Sequence, residues 1–93
     1  MGREMGIQVR WDNPQRDILL CIFEESWNWQ DYHTAMQQGR TLIDSVDHAV
    51  DVIFDFQRTH FAPSGALRHL GNSFRSLADA NLNRLVIVSA TGI

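Results

Sequence analysis

Three short runs rich in apolar, β-branched and aromatic residues, at 17–23, 51–56 and 85–89, alternate with stretches whose apolar residues recur at helical spacing. This alternation narrows the available folds most, because a chain that switches between a strand period and a helix period in this way builds a sheet with helices packed on it. The first run, AspIleLeuLeuCysIlePhe, is almost continuously apolar and suits a strand covered on both faces. Ahead of it, Ile7, Val9 and Trp11 alternate with Gln8 and Arg10, as in a strand buried on one side, and Asp12, Asn13 and Pro14 turn the chain. The two strands read as a β-hairpin with a loop longer than the tightest type.

From Trp29 the period changes. Trp29, Tyr32, Met36, Ile43 and Val46 form an apolar stripe that Ala35 and Leu42 widen, while Gln30, Asp31, Gln37, Gln38, Arg40 and Asp44 fall mainly on the other face. The pattern predicts an amphipathic helix of about four to five turns. Asn28 is its candidate N-cap, Asp31 suits the positive end of the helix dipole, and Gly39 is a local cost that a closely packed neighbour would explain. Leu67, Leu70, Phe74, Leu77 and Ala78 predict a second amphipathic helix, opened by Pro63, Ser64 and Gly65. The expected fold is therefore α/β with element order β-β-α-β-α-β, in one domain covering residues 1–93.

Right-handed crossovers through the two helices require the second, third and fourth strands to run the same way. Their carboxyl ends would then open on one rim with the loops at 24–28, 57–65 and 90–93, which is where ligands bind in open α/β sheets. At the end of the chain, an edge strand as apolar as 85–89 would be left partly uncovered. The expectation is either that the chain is a fragment of a longer one or that a partner covers this edge, a homodimer included.

Composition removes several classes of chemistry. All eight basic residues are arginine, so a P-loop lysine, a Schiff base and a lysine general base are excluded. The arginines are spread along a chain of net charge −3, which argues against a nucleic-acid partner. Cys21 occurs alone inside the first apolar run and reads as a small buried hydrophobe. His33, His48, His60 and His69 show no metal-ligand spacing, so no metal and no other cofactor is expected. The absence of an apolar run near the roughly 20 residues of a membrane span, and of a signal-like start, predicts a cytoplasmic protein.

The loop after the third strand, GlnArgThrHisPheAlaProSerGly, concentrates the candidate site residues Arg58, Thr59, His60, Phe61, Ser64 and Gly65. Ser64 would cap the second helix or face an anion there, with Arg58 adding a charge-assisted contact. Asp55, at the end of the third strand, would hydrogen-bond the amides of its own loop or pair with Arg58 or His60. Trp27 and Trp29 stand where the chain leads into the first helix, either as closure of the core or as the wall of an apolar pocket or partner surface. Glu24 and Glu25 carry no acid/base signature, and no motif places a nucleophile.

The opening hairpin, Trp27-x-Trp29 at the start of the first helix, the third strand ending in Asp55, and Ser64-Gly65 opening the second helix together resemble the STAS superfamily, and within it the SpoIIAA-like branch of anti-sigma-factor antagonists. The resemblance runs from about Ile7 to Ser89. It implies a SpoIIAA-like βα superhelix, a mostly parallel mixed sheet with helices packed on it, and a regulatory module without catalysis of its own. Its implied partner is a regulatory kinase or an anti-sigma-like protein. Family members carry Asp-Ser-Ser-Gly with the first Ser phosphorylated and continue past the fourth strand with a further helix and strand. Here Ala62 and Pro63 stand at the first two motif positions, leaving Ser64 and Thr59 as alternative acceptors.

The leading expectation is a protein-interaction module contacting its partner through the carboxyl-edge loops and through Arg68, His69, Asn72 and Arg75 of the second helix. A second is a carrier whose pocket Trp27, Trp29, Phe56 and Phe61 would line around a small apolar or lipid-like ligand. The least favoured is an enzyme using Asp55 with His60.

Overall fold

In the computed structural model, residues 6–59 and 81–88 are described. Strands β1 (Ile7–Trp11) and β2 (Ile18–Phe23) are followed by helix α1 (Trp29–Asp44) and by strands β3 (Val50–Asp55) and β4 (Leu82–Val88). The strands form one four-stranded sheet in the order β1-β2-β3-β4. β1 runs antiparallel to β2, whereas β2, β3 and β4 are parallel, so the expected hairpin and the common polarity are both present. The result is an α/β fold with a mixed sheet. The second predicted helix falls within 60–80, outside the described residues, and so does the last residue of the final predicted strand.

Alternation along the strands divides the sheet into two faces. Ile7 is paired with Phe23, Cys21 with Phe54, and Leu19 with Val52, which gathers these buried side chains on the face that α1 covers. From the helix, Tyr32, Ala35, Gly39 and Ile43 are buried against that face, at spacings of three and four, with half-buried Met36 and Leu42 beside them. Burying each of the larger side chains stabilises the fold by roughly 1.5–3 kcal/mol. On the opposite face Leu20, Ile22 and Ile53 form an apolar strip, which explains why β2 reads as apolar at every position.

The ends of α1 are set by local chemistry. Asn28 Oδ1 accepts from the Asp31 amide at 2.8 Å while Asp31 Oδ2 accepts from the Asn28 amide at 3.2 Å, a reciprocal capping box. The helix stops at Asp44, two residues short of the apolar stripe, and the Ser45 amide bonds back to Leu42 O at 3.1 Å. Asn81 then ties the approach to β4 onto this end, its Nδ2 donating to Val46 O at 2.6 Å and to Ile43 O at 3.3 Å. β4 begins at Leu82, three residues earlier than the apolar run suggests. Asn83 and Arg84 are polar but extended, with a register shift against β3 at Val50/Asp51 and with Asp51 receiving both side chains, at 2.8 and 3.4 Å.

Two glycines mark close approaches of opposite tolerance. A Cβ at Gly6 would lie 2.5 Å from Asp31 Oδ2, 2.8 Å from Trp27 Cβ and 2.9 Å from Ser26 O, so the start of β1 is pressed against the turn into α1. At Gly39 a Cβ would meet only Leu19 Cδ2, at 3.4 Å, an ordinary contact where the helix crosses β2. Gly6→Ala is therefore expected to destabilise the protein by about 1–3 kcal/mol. Gly39→Ala is expected to stabilise it by about 0.5–1 kcal/mol through helix propensity, and denaturant unfolding of both variants measures the contrast.

Burial pushes the Cys21 thiol up from 9.0 to about 12. Cys21 is expected to resist alkylation in the folded protein and to react once denaturant exposes it. Because the folded value lies above the unfolded one, the contribution of the buried neutral thiol is complete below pH 9.0 and is lost as pH rises toward about 12. A pH series of unfolding midpoints for the wild type and Cys21→Ala checks this, the two curves converging only on the alkaline side.

Candidate functional site

The common direction of β2, β3 and β4 brings Phe23, Asp55 and Val88 to one rim, where the Phe56 amide donates to Val88 O at 2.8 Å. The segment after β2 runs from this rim into the capped N-terminus of α1. Trp27 joins the two. It is 7% exposed, its ring stands edge-on to Phe23 at 5.1 Å and to Trp29 at 5.6 Å, and its indole Nε1 donates to Thr59 Oγ1 at 3.3 Å. Phe56 packs on Phe23 at 4.3 Å, and Trp29 stands perpendicular to Tyr32 at 5.5 Å. Of the two readings open for Trp27, closure of the core is the one its surroundings match.

On the other face of the sheet the rim is polar. Glu24 follows Phe23 and so projects away from α1, onto the side where Gln8 also lies. Its carboxylate accepts from Gln8 Nε2 and from Arg58 Nη1, the latter at 3.0 and 3.2 Å. The Glu24 side chain is 19% exposed and that of Arg58 58%, so an anchored carboxylate holds a guanidinium that still faces solvent. Asp55 Oδ1 accepts from the Gln57 amide at 2.9 Å, and the Thr59 amide donates to Phe56 O at 3.3 Å. Asp55 thus closes its own loop by an Asx-type turn, one of the roles expected of it, while Arg58 turns to Glu24 rather than to Asp55.

Trp27, Trp29, Asp55, Arg58 and Thr59 are accordingly gathered at one rim. His60, Phe61, Ser64, Gly65, Arg68 and Arg75 lie outside the described residues. The Glu24–Arg58 pair was not anticipated from the sequence, since 34 residues separate its members. The Gln8–Glu24 half of it was within reach, because pairing Ile7 with Phe23 places Gln8 beside Ile22 on the face that Glu24 shares.

Away from this rim, a shallow depression of about 390 Å³ lies between β1 and α1, lined by Val9, Thr34, Gln37, Gln38, Thr41 and Leu42. His48 belongs to the opposite rim, where its Nε2 meets Arg16 O at 2.9 Å. Among the described residues no group of three or more His, Cys, Asp or Glu side chains could hold a metal ion, and no helix is long and apolar enough to cross a membrane.

A double-mutant cycle of Glu24→Gln and Arg58→Gln is expected to give a coupling of about 0.2–1 kcal/mol in unfolding experiments, the range of a partly exposed pair. Additive single effects would mean that the pair contributes nothing measurable to stability. In comparisons with family models, with curated proteins and with solved structures, the chain finds no match.

Proposed function

We propose that this chain is a non-catalytic protein-interaction module of the SpoIIAA-like, STAS kind, acting in the cytoplasm on a regulatory kinase or an anti-sigma-like protein. Its contact surface in this reading is the rim at the carboxyl ends of β2 and β3, extended by Arg68 and Arg75 in the segment that follows. The superhelical arrangement and the second helix belong to the same proposal.

The observation that carries it is the anchored guanidinium of Arg58. Glu24, itself held by Gln8, fixes the arginine on one side and leaves more than half of its side chain open to a partner. A charged group ordered beforehand loses less side-chain entropy on binding, and arginine is prominent among the residues that dominate interfaces. The antiparallel opening hairpin followed by parallel strands supports the family reading at the level of topology. The packing of Trp27 and Phe56 against Phe23 favours an interaction surface over a carrier pocket at this place.

Of the two candidate phosphoacceptors, Thr59 already receives the Trp27 indole, so a phosphate there would disturb the aromatic closure. Ser64 is the preferred acceptor on this ground. Either modification would bring about −2 of charge to a rim that already carries Glu24 and Asp55.

The test is capture of a partner from lysate of the source cells, followed by titration of the purified pair. Reversing charge at Arg58, Arg68 and Arg75 together is expected to weaken binding by about tenfold or more. A partner held equally well by the triple variant would remove this surface from consideration. Native mass spectrometry of freshly purified protein supplies the opposing outcome, because a co-purifying lipid would transfer support to the carrier.

A further inference from the structure

β4 is the last strand in the order of the sheet, and its two halves differ in how they face the outside. The first half is guarded by a register shift and by Asn83 and Arg84, which Asp51 holds. The second half, Leu85 to Val88, is apolar at every position. Val86 and Ile87 are 39% and 49% exposed and are the exposed large hydrophobic residues among those described, one on each face of the sheet. Charges, prolines and bulges are the devices that keep an edge strand from pairing, and this half has none of them. The β1 edge, by contrast, carries Gln8 and Arg10.

The backbone of β4 is equally poised. Val88 O accepts from Phe56 N, so the hydrogen-bonding groups of Val88 and, by alternation, of Val86 face β3. Those of Leu85 and Ile87 point outward, where no described strand lies.

We propose that β4 pairs antiparallel with β4 of a second copy of this chain, joining two four-stranded sheets into one continuous sheet across a two-fold axis at Val86. A second copy fits because the edge is complementary to itself. Centring the axis on Val86 sets Leu85 opposite Ile87 of the partner subunit and Ile87 opposite Leu85 of the partner subunit. Both are pairs whose outward amides and carbonyls exchange hydrogen bonds. Val86 meets its own equivalent as the non-hydrogen-bonded pair between them, where side chains approach most closely. Each Arg84 stands opposite Val88 of the partner subunit, so no like charges are opposed, and Asp51 already balances the arginine. A two-fold contact of this kind closes on itself and does not propagate.

An interface centred on so few residues belongs to the small, weak class, so dimerisation is expected in the micromolar range or above. Sedimentation velocity from low micromolar to near-millimolar concentration should show a reversible monomer–dimer equilibrium. Ile87→Lys should shift its midpoint by about tenfold or more, while Arg10→Asp on the β1 edge leaves it unchanged. In the wild-type chain, hydrogen exchange at the Leu85 and Ile87 amides should slow as concentration rises, a readout that holds even if the lysine variant fails to fold. A monomer throughout the range, a dimer indifferent to Ile87→Lys, or concentration-dependent protection at β1 in place of β4 would each overturn the proposal. None of these outcomes bears on the contact of Arg58 with Glu24 and Gln8, which lies on β1 and on the segments that follow β2 and β3.

Discussion

The ring of Phe23, the last residue of β2, is the contact on which the rest of the structure depends. It touches Trp27 from the turn into α1, Tyr32 from the first turns of the helix, and Phe54 and Phe56 from the end of β3 and its outgoing loop. Aromatic pairs at these separations contribute about 0.5–1.5 kcal/mol each beyond their buried area. Their larger effect is geometric. One side chain joins the turn into the helix, its first turn, the end of the third strand and the loop that leaves it.

That closure makes the neighbouring rim an ordered surface. With Trp27 locked into the aromatic cluster and bonded to Thr59, the loop after β3 is held at a definite distance from the end of β2. Arg58, next to Thr59, then reaches Glu24, which Gln8 has already engaged. The apolar contacts on one face of the sheet therefore position the charged contacts on the other. The opposite rim is tied differently, through side chains bonded to backbone. Asn13 Oδ1 receives the Asp17 and Ile18 amides, His48 meets Arg16 O, and Asn81 caps the carbonyls at the end of α1. The hairpin loop there also carries Arg16 at a φ of 59°, a conformation unfavourable for a residue with a side chain. That rim is a set of structural ties, whereas the carboxyl rim leaves an arginine facing solvent.

The sheet differs equally between its edges. β1 presents alternate polar residues to solvent, and β4 does so only as far as Arg84. A chain of this size buries a limited share of its surface, so an apolar outer strand is a cost that association would relieve.

What the sequence determined by itself, among the described residues, was the patterns of short period in the hairpin and the first helix. The alternation of Ile7, Val9 and Trp11, the unbroken run of β2, the stripe of α1 and the Asn28–Asp31 cap are written within a few residues of one another, and the structure places them where those patterns indicate. The shared direction of β2 and β3 followed too, because the crossover through α1 returns the chain with the same polarity. Tertiary structure alone decided the rest. Asn83 and Arg84 became strand because Asp51, far away along the chain, supplies their partners. Gly6 is required because Trp27 and Asp31 come to rest against it. Glu24 became the anchor of Arg58 because the sheet brought its two ends together. Local propensity is carried by neighbours in sequence, whereas a site is made by neighbours in space, and here those neighbours are brought together by the sheet and by the Phe23 cluster beside it.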